Sequence, residues 1–160
     1  MRAITGLLRL LSAVIVIAAI AVGLSLMLST KGTGPEIDPR LSAVVEEWKR
    51  DMDTRGIDYD KSFKRLLKVS IVDISPNHVG ESRRSTRSVS ISACALDRGD
   101  YFIRALVYHE LGHFVFHLDH MDGVIMTSPV LTNAEYEEQW QEAVDEYLTA
   151  CEAREFEAQY

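Results

Sequence analysis

The chain has 160 residues, a formal net charge of −7 and two cysteines. Two arginines fall in the first thirty residues, so the remainder holds fifteen basic and twenty-four acidic residues, a net of −9. Nine acids and one base lie between Glu135 and Tyr160, so the acidity is concentrated at the carboxyl end, and a nucleic-acid partner, which wants a basic face, is excluded.

Residues 1–30 differ in kind from the rest. Leu10 to Leu28 is a nineteen-residue run without a charge. As a helix it covers about 28 Å, close to the hydrocarbon thickness of a bilayer. The spacing predicts an uncleaved transmembrane anchor, with membrane contact through residues 10–28. A signal peptide cleaved after Ala19-Ile20-Ala21 is the alternative, and it would leave a secreted or periplasmic protein. The apolar run continues from Val22 through Leu28, which favours the anchor. Arg2 and Arg9 before the span, against Lys31 and Arg40 after it, put the amino terminus in the cytoplasm and the domain outside. Residues 31–38, with Gly32, Gly34 and Pro35, read as a linker. Residues 39–160 suffice for one domain.

From Pro39 to about Arg55 the apolar residues Leu41, Val44, Val45, Trp48 and Met52 recur at helical steps, with Asp38 as the expected N-cap and Gly56 after the last turn. Leu66 to Ile74 reads as a strand ended by Pro76-Asn77, and Ser88 to Ala93 alternates as a strand with one wet face. Between them, Gly80 to Arg87 reads as a solvated loop or a charged edge that discourages pairing between molecules. The alternative is an edge that holds an extended peptide by strand addition. Cys94 and Cys151 are not spaced as a metal pair. They form one disulfide in an oxidising compartment, or are two small buried apolar residues.

A second helix is expected from Asp100, as N-cap, to His117 or Leu118, where the chain must bend. It is apolar over much of its circumference and carries His109-Glu110-Leu111-Gly112-His113. Histidines four apart share one helix face and can reach one ion. The glutamate between them is free to take a proton from a water that the metal activates. Shuffling this composition gives His-Glu-x-x-His in roughly one chain in a hundred, so the motif is specific. A buried histidine pair needs a partner, and a metal supplies it.

These residues, with Asp119-His120 and Ile125-Met126-Thr127 after them, resemble the zincin metallopeptidases. Within that group they look like the metzincins and the small snapalysin-like bacterial zinc peptidases. The resemblance covers residues 100–130. It implies Zn2+, a peptide or protein substrate, metal ligands His109 and His113, and Glu110 as the catalytic base. The family pattern has a glycine where this chain has Phe116, and its third ligand falls on Asp119. Relatives with one extra residue match His120, which is our preferred third ligand. Met126 corresponds to the family's Met-turn, an apolar floor beneath the ligands. Tyr108 and Tyr136 are oxyanion candidates by residue type alone.

Thr132-Asn133-Ala134-Glu135 is a capping box that opens a last, acidic helix. Its Glu142 is a further alternative ligand, because another zincin branch draws its third ligand from a later helix. The expected fold is α+β: a transmembrane helix, then a small zincin-like domain with a helix, a small mainly antiparallel sheet, the active-site helix, a Met-like turn and a carboxyl-terminal helix. The expected function is a membrane-anchored zinc metallopeptidase. The competing function is a non-catalytic zincin-like domain with a structural, closed metal site that acts as a binding or regulatory module.

Overall fold

Ser88-Val89-Ser90-Ile91-Ser92 alternates polar and apolar, and it forms the strand around which the sheet is arranged. The computed structural model describes residues 34–74, 78–120, 123–127 and 131–159. The chain separates into Met1–Thr33 and a second compact unit, Gly34–Tyr160. The expected anchor, residues 10–28, lies outside the described residues, as do Pro76-Asn77. Among the described residues no helix is long and apolar enough to cross a membrane.

The second unit is α+β with a small mixed sheet. Strands β1 (Glu36–Ile37), β2 (Lys68–Val72), β3 (Gly80–Arg83) and β4 (Ser88–Ser92) lie in the order β1-β2-β4-β3. The expectation of a mainly antiparallel sheet is corrected here: β1–β2 and β2–β4 are parallel, and β3–β4 alone is antiparallel. The cause is an insertion. The chain leaves β2, returns as β3 one place further out, and turns back as β4 into the gap. Gly80 to Arg87 is therefore not a loop, because its first half is the edge strand β3. Val69, Val89 and Ile91 share the sheet face with Gly80 and Ser82, and all three are fully buried.

Helix α1 (Ser42–Arg55) buries Val45, Trp48 and Met52 and ends at left-handed Gly56. It starts later than expected, with Leu41 at its cap position. Asp38 instead caps the preceding turn, accepting hydrogen bonds from the Arg40 backbone and guanidinium. A short helix α2 (Asp60–Phe63) leads into β2, and a 3-10 segment (Ala93–Arg98) leads from β4 into α3 (Asp100–Leu111). Helix α4 (Asn133–Gln159) closes the fold. One hydroxyl joins three helices: Tyr147 donates to the Tyr108 carbonyl at 2.9 Å and accepts from Trp48 Nε1 at 3.0 Å. Among the described residues, every fully buried core side chain lies between Leu41 and Cys151. Cys94 is exposed and Cys151 buried, and no disulfide joins them.

Candidate metal centre

The helix that carries the motif is fixed at its start by a residue distant in sequence. Gly99 occupies the cap position and Asp100 is the first helical residue, not the cap that the sequence suggested. The cap is Asn133, whose Oδ1 accepts from the Tyr101 amide at 2.8 Å and the Phe102 amide at 3.2 Å. Such a cap is worth about 1 kcal/mol. Asn133 is held in turn by the expected capping box, in which the Thr132 amide donates to Glu135 Oε2 at 2.7 Å and the Glu135 amide to Thr132 Oγ1 at 3.3 Å.

Past Leu111 the helix widens into a π-helical turn, Gly112–Phe116, and ends at His117, which is left-handed with φ 61°. The chain then doubles back and brings His120 against the first two histidines. The three rings lie 4.5, 4.8 and 5.2 Å apart by centroid, and one ligand nitrogen from each falls within 4.8 Å of the others. The group could hold a metal ion. His109 is buried, His113 half-buried and His120 exposed, so the site opens to solvent on the His120 side.

The tautomers follow from the partners. His109 Nδ1 lies 2.8 Å from the Ile125 carbonyl, and His113 Nδ1 lies 2.7 Å from the Leu118 carbonyl. A carbonyl only accepts, so both Nδ1 atoms carry the hydrogen and both Nε2 atoms carry a lone pair. Those Nε2 atoms face each other at 3.0 Å. Two lone pairs at that distance repel unless a cation sits between them. A proton is disfavoured, because burial pushes the His109 imidazole down to about 4 and lowers His113 as well. A divalent metal fits. Two nitrogens on one tetrahedral zinc are roughly 3.4 Å apart, a few tenths of an ångström from the spacing found.

Glu110 is 5 % exposed, and burial first, then Glu81, pushes its carboxyl up to about 8. The edge strand lies directly on it. A Cβ at Gly80 would stand 2.4 Å from Glu110 Oε1 and 2.8 Å from Leu106 Cδ1, so only glycine lets β3 approach this closely. Further along β3, the Ser82 Oγ is buried without a hydrogen-bond partner among the described residues. Beyond it, Arg84 donates to the His113 carbonyl at 3.0 Å. The β3–β4 hairpin thus touches the motif helix at Glu110 and at His113.

The other residues singled out in the sequence lie elsewhere. Asp119 is 79 % exposed in its side chain and ion-pairs with Arg154 at 3.3 Å, outside the histidine group. Glu142 is exposed on α4, beside Gly123 and Glu146 in a shallow hollow, and is not in the group either. His117, the remaining histidine of this stretch, is exposed at the bend. Tyr108 is buried and donates its hydroxyl to Asp51 Oδ2 at 2.6 Å, while Tyr136 packs edge-on against Phe102, two turns before the histidines. Met126 is fully buried, and a Cβ at Gly112 would meet its Sδ at 2.9 Å. Gly123 to Met126 therefore forms a turn pressed against the motif helix, giving Ile125's carbonyl to His109 and Met126's sulfur to Gly112.

Sequence reasoning missed Gly80, Ser82, Arg84 and Asn133. A glycine opening a polar segment was the one local signal for the first. Comparison with known protein families, curated proteins and solved structures finds no match for this chain.

Proposed function

We propose that residues 34–160 form a zinc-dependent peptidase domain of the zincin type, carried on a membrane anchor at residues 10–28 with the domain outside the cytoplasm. The observation that carries this reading is the pair of opposed Nε2 lone pairs, joined by a third imidazole, one residue from a buried carboxylate. His109, His113 and His120 would hold the metal. The ion, when bound, polarises a carbonyl and acidifies a water.

The chain's own residues do the rest. Glu110 Oε takes the proton of the attacking water and delivers it to the nitrogen of the departing amine, so the peptide C–N bond breaks as a C–O bond forms. Ile125 and Leu118 hold the imidazoles in the tautomer that offers Nε2. The outer edge of β3, last in the sheet order and in contact with Glu110, gives an extended peptide a row of backbone groups to pair with. The closed, structural reading of the metal site needed Asp119 as a fourth ligand. Asp119 is engaged with Arg154, which supports three protein ligands and an open position.

The test is a pair of measurements on one variant. Glu110→Gln should keep about one zinc per chain and lose peptide cleavage by about 10²–10⁴-fold. Zinc content near zero in the folded wild-type protein sinks the metal assignment, and undiminished turnover in the variant sinks the role of Glu110.

A further inference from the structure

The sheet register gathers one kind of charge at one end of the fold. Glu36, Lys68, Ser88 and Arg83 lie level with one another across β1, β2, β4 and β3. The starts of three parallel strands and the β3–β4 turn therefore share an end. That end carries Lys64, Arg65, Lys68, Arg83, Arg84 and Arg87, all exposed, against Glu36, Asp60 and Glu81. Six basic and three acidic residues leave it at +3, on a molecule whose residues past the first thirty sum to −9. Leu67, next to Lys68 in the chain and two residues after Arg65, is 52 % exposed, the most exposed large apolar side chain described.

The chain enters the domain at this same end, since Glu36 pairs with Lys68. Between Leu28, where the apolar run stops, and Gly34 there are five residues, which reach at most about 20 Å. We infer that this basic end, with the exposed Leu67 on it, docks on a bilayer surface bearing anionic phospholipid headgroups. A domain this acidic is repelled by such a surface in most orientations. The basic end is attracted, so it sets the orientation. Arg84 ties the end to His113, and docking therefore holds the histidine site close to the membrane. The short tether that strengthens this arrangement rests on reading residues 10–28 as an anchor; the charge and the exposed leucine do not.

Each basic residue near an anionic surface adds roughly fivefold in affinity, and salt screens the attraction. The experiment is co-sedimentation of residues 34–160 with vesicles of phosphatidylcholine alone, and with about one-third phosphatidylglycerol. Binding to the anionic vesicles alone, lost in high salt, is the expected result. The double variant Arg65→Glu, Lys68→Glu should bind at least tenfold more weakly with its melting temperature and zinc content unchanged. Equal binding to both vesicle types, no binding to either, or full binding by the variant overturns the inference. Carbonate extraction of the full chain from membranes reports separately on the anchor, so the two can fail independently.

Discussion

Glu110 should make the metal-free protein less stable, and its replacement by glutamine should reveal by how much. Its carboxyl is pushed from 4.5 up to about 8, chiefly by burial. The sign follows from proton binding. The folded state holds this proton more tightly than the unfolded state, so stability is greatest below 4.5 and falls as pH rises toward 8. Each unit corresponds to about 1.4 kcal/mol, so the cost is on the order of 3 kcal/mol at pH 7 and somewhat more at pH 8.5. The residue is almost wholly buried, so solvent screening does little to reduce it. Glutamine removes the ionisation and leaves a buried amide that costs about 1–3 kcal/mol at every pH. With chelator present, Glu110→Gln should melt several degrees above the wild type at pH 8.5, and at or below it at pH 5. Thermal melts of the two proteins across that range measure the difference directly. Adding zinc should shrink it, because a cation held nearby favours the ionised carboxylate. A difference that does not change with pH would refute the account of Glu110 as a desolvated acid.

Zinc affinity should discriminate among the ligand candidates. His120→Ala should weaken binding by about 100-fold or more, while Asp119→Ala and Glu142→Ala change it little, as read by competition with a chromophoric chelator. Gly112→Ala should destabilise the fold by about 1–3 kcal/mol in denaturant titration, because the added methyl meets Met126 Sδ and the Tyr147 ring, at 2.9 and 3.0 Å. Ser82→Ala should leave stability unchanged or slightly raised, since it deletes a buried hydroxyl that has no partner among the described residues; a loss above about 1 kcal/mol would mean the hydroxyl is satisfied.

What could be read in the sequence was what depends on short spacing. Two histidines four apart meet because one helical turn dictates it, and Thr132 meets Glu135 for the same reason. The alternation in Ser88–Ser92 announced a strand but not its neighbours. Pairing direction depends on where the chain returns, which is why the sheet proved mixed. The missed residues act at long range: Arg84 reaches a carbonyl 29 residues away, and Asn133 caps amides 31 and 32 residues before it. No local pattern marks such partners. Asp100 misled for the same reason, since it stood where a cap belongs while the true cap came from α4.

The departure at Phe116 shows how the third histidine comes to the site. In the zincin pattern a glycine reverses the chain and the ligand follows three residues later. Here Phe116 is buried and packs against Trp48, so it cannot serve as the reversal. The wide turn moves that role to His117, whose φ is 61°, and the Leu118 amide closes back onto the Gly112 carbonyl at 3.3 Å. This bond spans six residues, one more than the usual stop across a left-handed residue, because the turn before it is π-helical. With the reversal shifted by one residue, the position three places on shifts from Asp119 to His120. The same closure fixes His113, because Leu118 then presents its carbonyl to Nδ1. A side chain in this conformation costs about 1 kcal/mol, and a β-branched one costs more. His117→Gly should therefore melt near the wild type and keep its zinc affinity. His117→Val should lose about 1–2 kcal/mol and bind zinc at least tenfold more weakly, although the residue itself touches no metal. Wild-type melting and zinc affinity in His117→Val would show that the reversal at His117 does not deliver the third histidine.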